Sequence, residues 1–240
     1  MIMAESVRLQ KYISDCGVMS RRASEDAIRN GDILVDGRRV EPGIKIVPGV
    51  NAVTLRGTPV VPRSAPYTYV LINKPRGIVT TSNDEKGRRC VLDLLPPTKT
   101  RLYPVGRLDM DSDGLLILTD DGAFTNLMTH PRHHVPKTYV VRTEEVLTQA
   151  HLHVLNGPMV IEGYRLKPVE IVVADDHTFV IRLHEGRNRQ IRKMCKEADL
   201  RIKKLTRIAI GPVEIGDLKP GAYRYLTSKE IKSLEESIIV

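Results

Sequence analysis

The chain has 240 residues, of which 41% are hydrophobic and only 4% aromatic, so its core must consist mainly of aliphatic side chains. Its 37 lysines and arginines outnumber 29 acidic residues, and a pI near 9.4 favours a polyanionic partner such as nucleic acid. No apolar run approaches the roughly 20 residues of a membrane helix, and three scattered cysteines argue against disulfide and zinc frameworks.

Cellular location and domain number follow from the same features. The start, MIMAESVRLQ, has no apolar segment followed by a small-residue cleavage site, so we expect a cytoplasmic protein with reduced thiols. The length exceeds that of one average domain, which favours two domains.

The first 60 residues predict a small unit of two helices and two strands. Helical spacing of apolar residues indicates helices over 8–16 and 20–28, the second capped by a serine. A strand follows at 33–35. The pair Asp36-Gly37 is typical of a tight hairpin turn, because both positions tolerate positive φ.

Basic residues are concentrated in this unit and could bind RNA phosphates, although a merely solvated face is the alternative. The string RLQKYISDCGVMSRRASEDAIRNGDILVDGRRV and the order of elements resemble the small RNA-binding domain named after ribosomal protein S4. That domain occurs in several RNA enzymes and in plain binding proteins. The resemblance therefore implies RNA binding over about residues 7–60 and leaves the reaction open.

A proline-rich stretch, TPVVPRSAP, predicts a linker that ends this domain, so a second domain is expected over 66–240. Alternating apolar residues and helical periods indicate an α+β domain with a largely antiparallel sheet. Strands are predicted at 67–73, 114–119, 138–142, 166–173 and 178–184, and helices at 124–129, 144–155, 189–198 and after Thr227.

The segment GRLDMDSDG, residues 106–114, places three carboxylates before an apolar strand. It could begin a calcium loop, since D-x-D-x-D-G opens an EF-hand and Asp120 has the closing position. Pro104 and Gly106 oppose that interpretation, because they would interrupt the incoming helix, and Ile117 stands where an oxygen ligand is expected. The aspartates could also merely cap amides of the turn.

The longer string GRLDMDSDGLLILTDDG resembles the signature of the pseudouridine synthases that modify ribosomal RNA, the family typified by RsuA. The resemblance implies that Asp109 is the catalytic carboxylate. Three further segments match in order: NKPRG at 73–77, KTY at 137–139 and EGRNRQIRKM at 185–194. They imply that Tyr139 lies against the target base and that Arg192 pairs with Asp109. Relatives often hold Thr or Ser at the place of Asp113.

Each of these assignments has an ordinary structural alternative. Tyr139 on an alternating strand could be a cross-strand core residue, and Arg192 could belong to a solvated basic run. The histidines of HPRHH, residues 130–134, lack accompanying ligands at zinc spacing, so we interpret this segment as a loop that touches RNA or solvent.

The resemblance implies an isomerase that converts a uridine of ribosomal RNA to pseudouridine. We expect a monomer that needs no cofactor or metal and has no membrane partner. The Ser-Asp-Gly and Asn-Arg-Gln-Ile-Arg segments are more similar to the large-subunit, RluB/RluF-like branch, which favours 23S rRNA. The alternatives are the same chemistry on 16S rRNA and a non-catalytic RNA-binding or ribosome-assembly factor. The predicted RNA-contacting residues are Arg21, Arg22, Arg38, Arg39, Lys74, Arg107, Arg187 and Arg189.

Overall fold

The structure is a computed structural model that describes residues 5–82, 84–98 and 100–238. The chain divides into two compact units, one extending to Tyr67 and including Thr100 and Arg101, the other containing the remaining residues. Within the described ranges, no helix combines the length and the apolar character that crossing a membrane would need.

The amino-terminal unit packs two helices beside short antiparallel strands. A sheet has the order β3-β2-β5-β6, and β1 pairs with β4. Its elements are β1 (Val7–Arg8), α1 (Leu9–Asp15), α2 (Arg21–Arg29), β2 (Ile33–Val35), β3 (Arg38–Arg39), β4 (Lys45–Ile46), β5 (Val53–Leu55) and β6 (Thr58–Pro59).

Local sequence signals in this unit are confirmed. The Ser20 hydroxyl accepts a hydrogen bond from the Ala23 amide at 3.1 Å and so caps α2. Asp36 and Gly37 have φ of 50° and 76°, as the predicted hairpin turn requires. The core contains Leu9, Ile13, Ile28, Ile33 and Val53, whereas the four arginines predicted to bind RNA are exposed.

The second unit is built on a nine-stranded sheet with the main order β13-β14-β10-β15-β9-β7-β17, joined at its side by β8 and β16. The strands of this sheet are β7 (Tyr69–Lys74), β8 (Tyr103–Pro104), β9 (Asp113–Thr119), β10 (Lys137–Thr143), β13 (Glu170–Asp175), β14 (Thr178–Leu183), β15 (Ile202–Ile210), β16 (Val213–Glu214) and β17 (Tyr223–Tyr225). A separate two-stranded sheet consists of β11 (Val160–Ile161) and β12 (Tyr164–Arg165). The α-helices of this unit are α3 (Gly122–Thr129), α4 (Gln149–Asn156), α5 (Gln190–Glu197) and α6 (Ser228–Glu236).

The predicted α+β class with a largely antiparallel sheet is confirmed, since the parallel pair β9–β15 is embedded among antiparallel pairs. Three predictions need correction. The helix expected over 144–155 begins only at Gln149, the strand expected over 166–173 begins only at Glu170, and β15 was not predicted. Strand β15 lies between β10 and β9. Three basic residues interrupt its apolar pattern, so the sequence does not show it as a strand.

The parallel pair brings two backbones unusually close. Gly114 has φ of +111°, and a Cβ at this position would lie 2.2 Å from the Arg207 carbonyl oxygen. Only glycine fits there. This approach fixes the residues just before Gly114 against the middle of β15.

Candidate active site

The acidic loop, residues 109–113, lies between β8 and β9, and hydrogen bonds from residues 74–80 hold its backbone and that of the preceding Leu108. The Gly77 amide donates to the Met110 carbonyl at 2.7 Å. The Thr80 hydroxyl donates to the Leu108 carbonyl at 2.7 Å, and the Leu108 amide donates back to it at 3.3 Å. The loop is therefore positioned by a second segment and does not depend on its own turn alone.

Lys74 lies beneath the loop with 0% of its surface exposed. Its ammonium donates to the carbonyls of Ser112 at 2.8 Å and Pro75 at 3.0 Å. Burial lowers the pKa of Lys74 to about 8, although the carboxylates of the acidic loop favour its charged form. This burial corrects the prediction that Lys74 contacts RNA, because the ammonium supports the loop from inside the protein.

We expect Lys74→Met to remove a pH dependence of stability. Between pH about 8 and 10.5 the folded protein has released a proton that the unfolded chain keeps. Wild type should therefore gain stability as the pH rises through this range, by up to about 3 kcal/mol. Lys74→Met should lack this gain. Urea unfolding at pH 7 and 10 measures the difference, with exposed Lys229→Met as the control. If the free energy of unfolding changed equally with pH in wild type and Lys74→Met, the prediction would be wrong.

Two arginines face the Asp109 carboxylate. Its Oδ2 lies 3.5 Å from Arg189 Nη1 and 3.6 Å from Arg192 Nε. Arg192 is only 16% exposed, whereas Arg189 is 44% exposed, so solvent screens the second pair more strongly. Arg192, the predicted partner of Asp109, is thus at ion-pair distance from it. Arg189, which was predicted only to bind RNA, is at ion-pair distance as well.

The same arginines also hold the rest of the loop. Arg192 Nη2 donates to the Asp111 carbonyl and the Ser112 hydroxyl, both at 3.0 Å. Arg189 donates to both carboxylate oxygens of Asp111 at 3.2 and 3.1 Å, and this lowers the pKa of Asp111 against the opposing effect of burial. Helix α5, which begins immediately after Arg189, therefore fixes the geometry of the acidic loop.

Asp113 faces a different partner set. It accepts a hydrogen bond from the Thr206 hydroxyl and lies 3.6 Å from the Lys204 ammonium. Across the described residues, no three His, Cys, Asp or Glu side chains are grouped so as to hold a metal ion. The loop geometry gives the calcium interpretation no support.

A cavity of about 500 Å³ opens beside Asp109. Tyr139 on β10 contributes a half-buried aromatic wall, and Arg207 on β15 places its guanidinium carbon 6.0 Å from the centre of that ring. Other lining residues include Lys137, His130, His134, Tyr164, Lys167, Arg107, Arg187, Arg189 and Arg192. The cavity thus brings the Asp109 carboxylate together with aromatic rings and a cationic wall.

The rim is held by the Glu185 carboxylate. It accepts hydrogen bonds from the Lys167 amide and the Gln190 side chain, both at 3.1 Å. The Arg187 guanidinium lies over the Tyr164 ring, 2.9 Å from its centre. Arg107 and Arg187 are exposed at this rim, where a large ligand could meet them.

Sequence reasoning missed Arg207 and Lys137 as cavity residues. Arg207 is 4% exposed and stands in the apolar run of β15, so a lone arginine among buried positions was the available signal. In the histidine segment, which we predicted to touch RNA or solvent, His130 and His134 line the cavity. The predicted residues Arg21, Arg22, Arg38 and Arg39 belong to the other unit.

Known protein families match both units of the chain. The RNA pseudouridylate synthase family matches residues 68–197, and the S4 domain matches residues 7–50. The Ribosomal large subunit pseudouridine synthase B of Bacillus subtilis is 37% identical over 95% of both chains. The dual-specificity RNA pseudouridine synthase RluF of Escherichia coli is 34% identical over 98% of this chain and 80% of its own.

A solved structure extends the likeness to three dimensions. A crystal structure of a pseudouridylate synthase covers 95% of this chain and 100% of its own, with a TM-score of 0.70 and 28% identity. The matches in sequence span both units. The chain therefore belongs to the RNA pseudouridine synthases, isomerases of uridine in RNA, and carries an amino-terminal S4 domain.

Proposed function

We propose that this enzyme isomerises one uridine of ribosomal RNA, in the 23S rRNA of the large subunit, with Asp109 as its catalytic carboxylate. The observation that carries the proposal is the position of Asp109, at the edge of a cavity beside Tyr139 and within 3.6 Å of Arg192. The name of the Bacillus subtilis relative, which specifies the ribosomal large subunit, supports the choice of RNA.

The chemistry requires an ionised carboxylate. Formation of pseudouridine breaks the bond between uracil and ribose, turns the base and rejoins it through carbon, without net oxidation or reduction. Asp109 acts on the nucleoside as nucleophile or base, and both roles need its negative charge. The guanidinium groups of Arg189 and Arg192 lie within 3.6 Å of this carboxylate.

The target base must leave its stack to reach Asp109. Extrusion costs a few kcal/mol, and an aromatic ring recovers part of this free energy by stacking on the base. Tyr139 supplies that ring inside the cavity, and the exposed Arg107 and Arg187 supply cations for the neighbouring phosphates.

We assign residues 7–60 to RNA affinity. Exposed arginines in this domain can neutralise phosphates without touching the reacting base. This division of work gives the catalytic cavity one nucleotide to recognise and gives the S4 domain the RNA around it.

Replacing Arg21 and Arg22 by Gln should weaken binding to 23S rRNA fragments and flatten its salt dependence. Removal of one arginine–phosphate pair lowers the slope of log affinity against log salt by about one. The matched control is Lys229→Gln with Lys232→Gln, two exposed charges in the first turns of α6. Filter binding across a salt series measures both slopes. Equal slopes for the two double variants would contradict the assignment.

Mapping of pseudouridines in rRNA tests the proposed function. Cells that lack the gene should lose a pseudouridine in 23S rRNA, and wild-type protein should restore it while Asp109→Asn should not. Loss of a 16S position instead would transfer the same chemistry to the small subunit. An unchanged map of both rRNAs would reject ribosomal RNA as the substrate.

A further inference from the structure

Arg207 presents a buried guanidinium that its surroundings satisfy only in part. The side chain is 4% exposed. Its Nε donates to the Leu115 carbonyl at 2.7 Å, and Nη1 lies 3.5 Å from the Arg107 carbonyl. Its Nη2 is buried without a hydrogen-bond partner, and no carboxylate within the described ranges forms an ion pair with it.

An unsatisfied buried charge is unfavourable and is uncommon in folded proteins. Arg207 is on the long strand β15, whose backbone is fixed by the close approach of Gly114. The guanidinium is thus held in place without the group that would complete its hydrogen bonds. Arg207 also lines the cavity, where a bound ligand would be close to its guanidinium.

The neighbours of Arg207 narrow the identity of this ligand. Arg207 is the cross-strand partner of Tyr139, and Lys137 lies two residues before Tyr139 on the same face of β10. The Lys137 ammonium donates to the Val135 carbonyl at 2.7 Å and also lines the cavity. Repulsion from Arg207 adds to burial in lowering the pKa of Lys137 to about 8. The inner wall therefore favours a planar group that carries negative charge.

We propose that Arg207 is a catalytic residue, whose Nη2 donates a hydrogen bond to a carbonyl oxygen of the target uracil and stabilises the negative charge on the detached base. The inference rests on the proposed function and deepens it. A base is favoured over a phosphate because Arg207 is buried beside Tyr139, whereas Arg107 and Arg187 are exposed at the rim.

The electron count explains why this charge appears. When the N1–C1′ bond breaks, its electron pair stays with uracil, whether Asp109 bonds to C1′ or removes the C2′ proton. The resulting anion spreads its charge over N1, O2 and O4. Bond formation between C5 and C1′ then uses an electron pair of the base, while the bond between C1′ and Asp109 breaks or Asp109 returns the proton to C2′. The C5 proton is lost as N1 gains one. A fixed hydrogen-bond donor at O2 or O4 therefore stabilises the detached, anionic base more than it stabilises the neutral base before or after this stage.

Sulfur substitution at the target uridine tests the contact. The substrate is a 23S rRNA fragment containing the mapped position, synthesised with uridine, 2-thiouridine or 4-thiouridine. We expect Arg207→Gln to slow single-turnover isomerisation of the uridine substrate about 100-fold. Because sulfur is a weak acceptor, wild type should be slowed by one of the two thio substitutions. Arg207→Gln should not be slowed further by that same substitution.

For each variant, the rate with the thio substrate is divided by the rate with the unmodified substrate. A smaller fraction of folded protein lowers both rates equally and therefore does not change this ratio. Arg142→Gln, an exposed arginine on β10, is the matched control and should keep both the wild-type rate and the wild-type thio effect. Arg207→Lys, which keeps the charge, should retain part of the thio effect and provides a second variant if Arg207→Gln folds poorly.

Equal thio effects in wild type and both Arg207 variants would overturn the proposal. A second result would also overturn it. A methylphosphonate at the target phosphate would slow wild type but not the Arg207 variants, while both thio substitutions would slow wild type and the variants equally. Arg207 would then contact phosphate. A wild-type protein that forms no pseudouridine in the unmodified fragment would contradict the proposed function itself, which separates the two failures.

Discussion

Asp109→Asn should abolish isomerisation, with a single-turnover rate lower by about 10⁴-fold or more, while RNA binding persists. Asparagine keeps the size and planarity of the side chain but cannot act as nucleophile or base. Binding should be retained or strengthened, because the change removes a negative charge that faces Arg189 and Arg192. Rate and affinity are measured on the same 23S rRNA fragment, which separates catalysis from recognition.

Asp176→Asn is the matched control, since this exposed aspartate lies in the turn between β13 and β14. It should leave rate and affinity unchanged. Pseudouridine formation by Asp109→Asn at more than a trace rate would show that the carboxylate is not required. Loss of binding together with rate would instead indicate that the acidic loop had collapsed.

Arg192→Ala should lower the single-turnover rate by about 1000-fold. The variant loses the less exposed of the two cations near Asp109, as well as the hydrogen bonds to the Asp111 carbonyl and the Ser112 hydroxyl. Arg192→Lys should recover only part of the rate, because an ammonium cannot reproduce the fork of the guanidinium. Arg189→Ala should lower the single-turnover rate much less than Arg192→Ala does, since the pair between Arg189 and Asp109 is more exposed to solvent.

Chemical rescue separates charge from loop positioning. Added ethylguanidinium can fill the space left in Arg192→Ala and should raise its rate, while leaving Asp109→Asn inactive. Urea unfolding of both variants monitors stability. If Arg189→Ala proved as damaging as Arg192→Ala, the exposed pair would be the important one, and the proposed ranking of the two arginines would be wrong.

Short-range sequence patterns predicted the fold where structure is local. The Ser20 cap and the Asp36-Gly37 turn depend on neighbouring residues and could be predicted correctly. Strand β15 could not, because its basic residues lie within a strand whose burial is decided by β9 and β10. Its apolar pattern is too irregular to show this alone.

The candidate site shows the same division. The ordered motifs predicted that Asp109, Tyr139 and Arg192 would come together, and these residues line one cavity. The burial of Lys74 could not be foreseen, because one of the two carbonyls that accept its hydrogen bonds belongs to Ser112, 38 positions away. A lysine next to proline and glycine is typical of a surface loop, so only the tertiary structure shows its supporting position.

The pairing of β9 with β15 also determines when the cavity can form during synthesis. The hydrogen bond from Arg207 to Leu115 joins residues 92 positions apart. Contacts of such separation form late, after the cost of closing a long loop has been met. On a ribosome that has released the chain only through α5, Asp109 and Arg192 are both present, yet the strand that lies between β9 and β10 is missing. We therefore expect the nascent enzyme to stay inactive until β15 has left the ribosome and paired with β9 and β10.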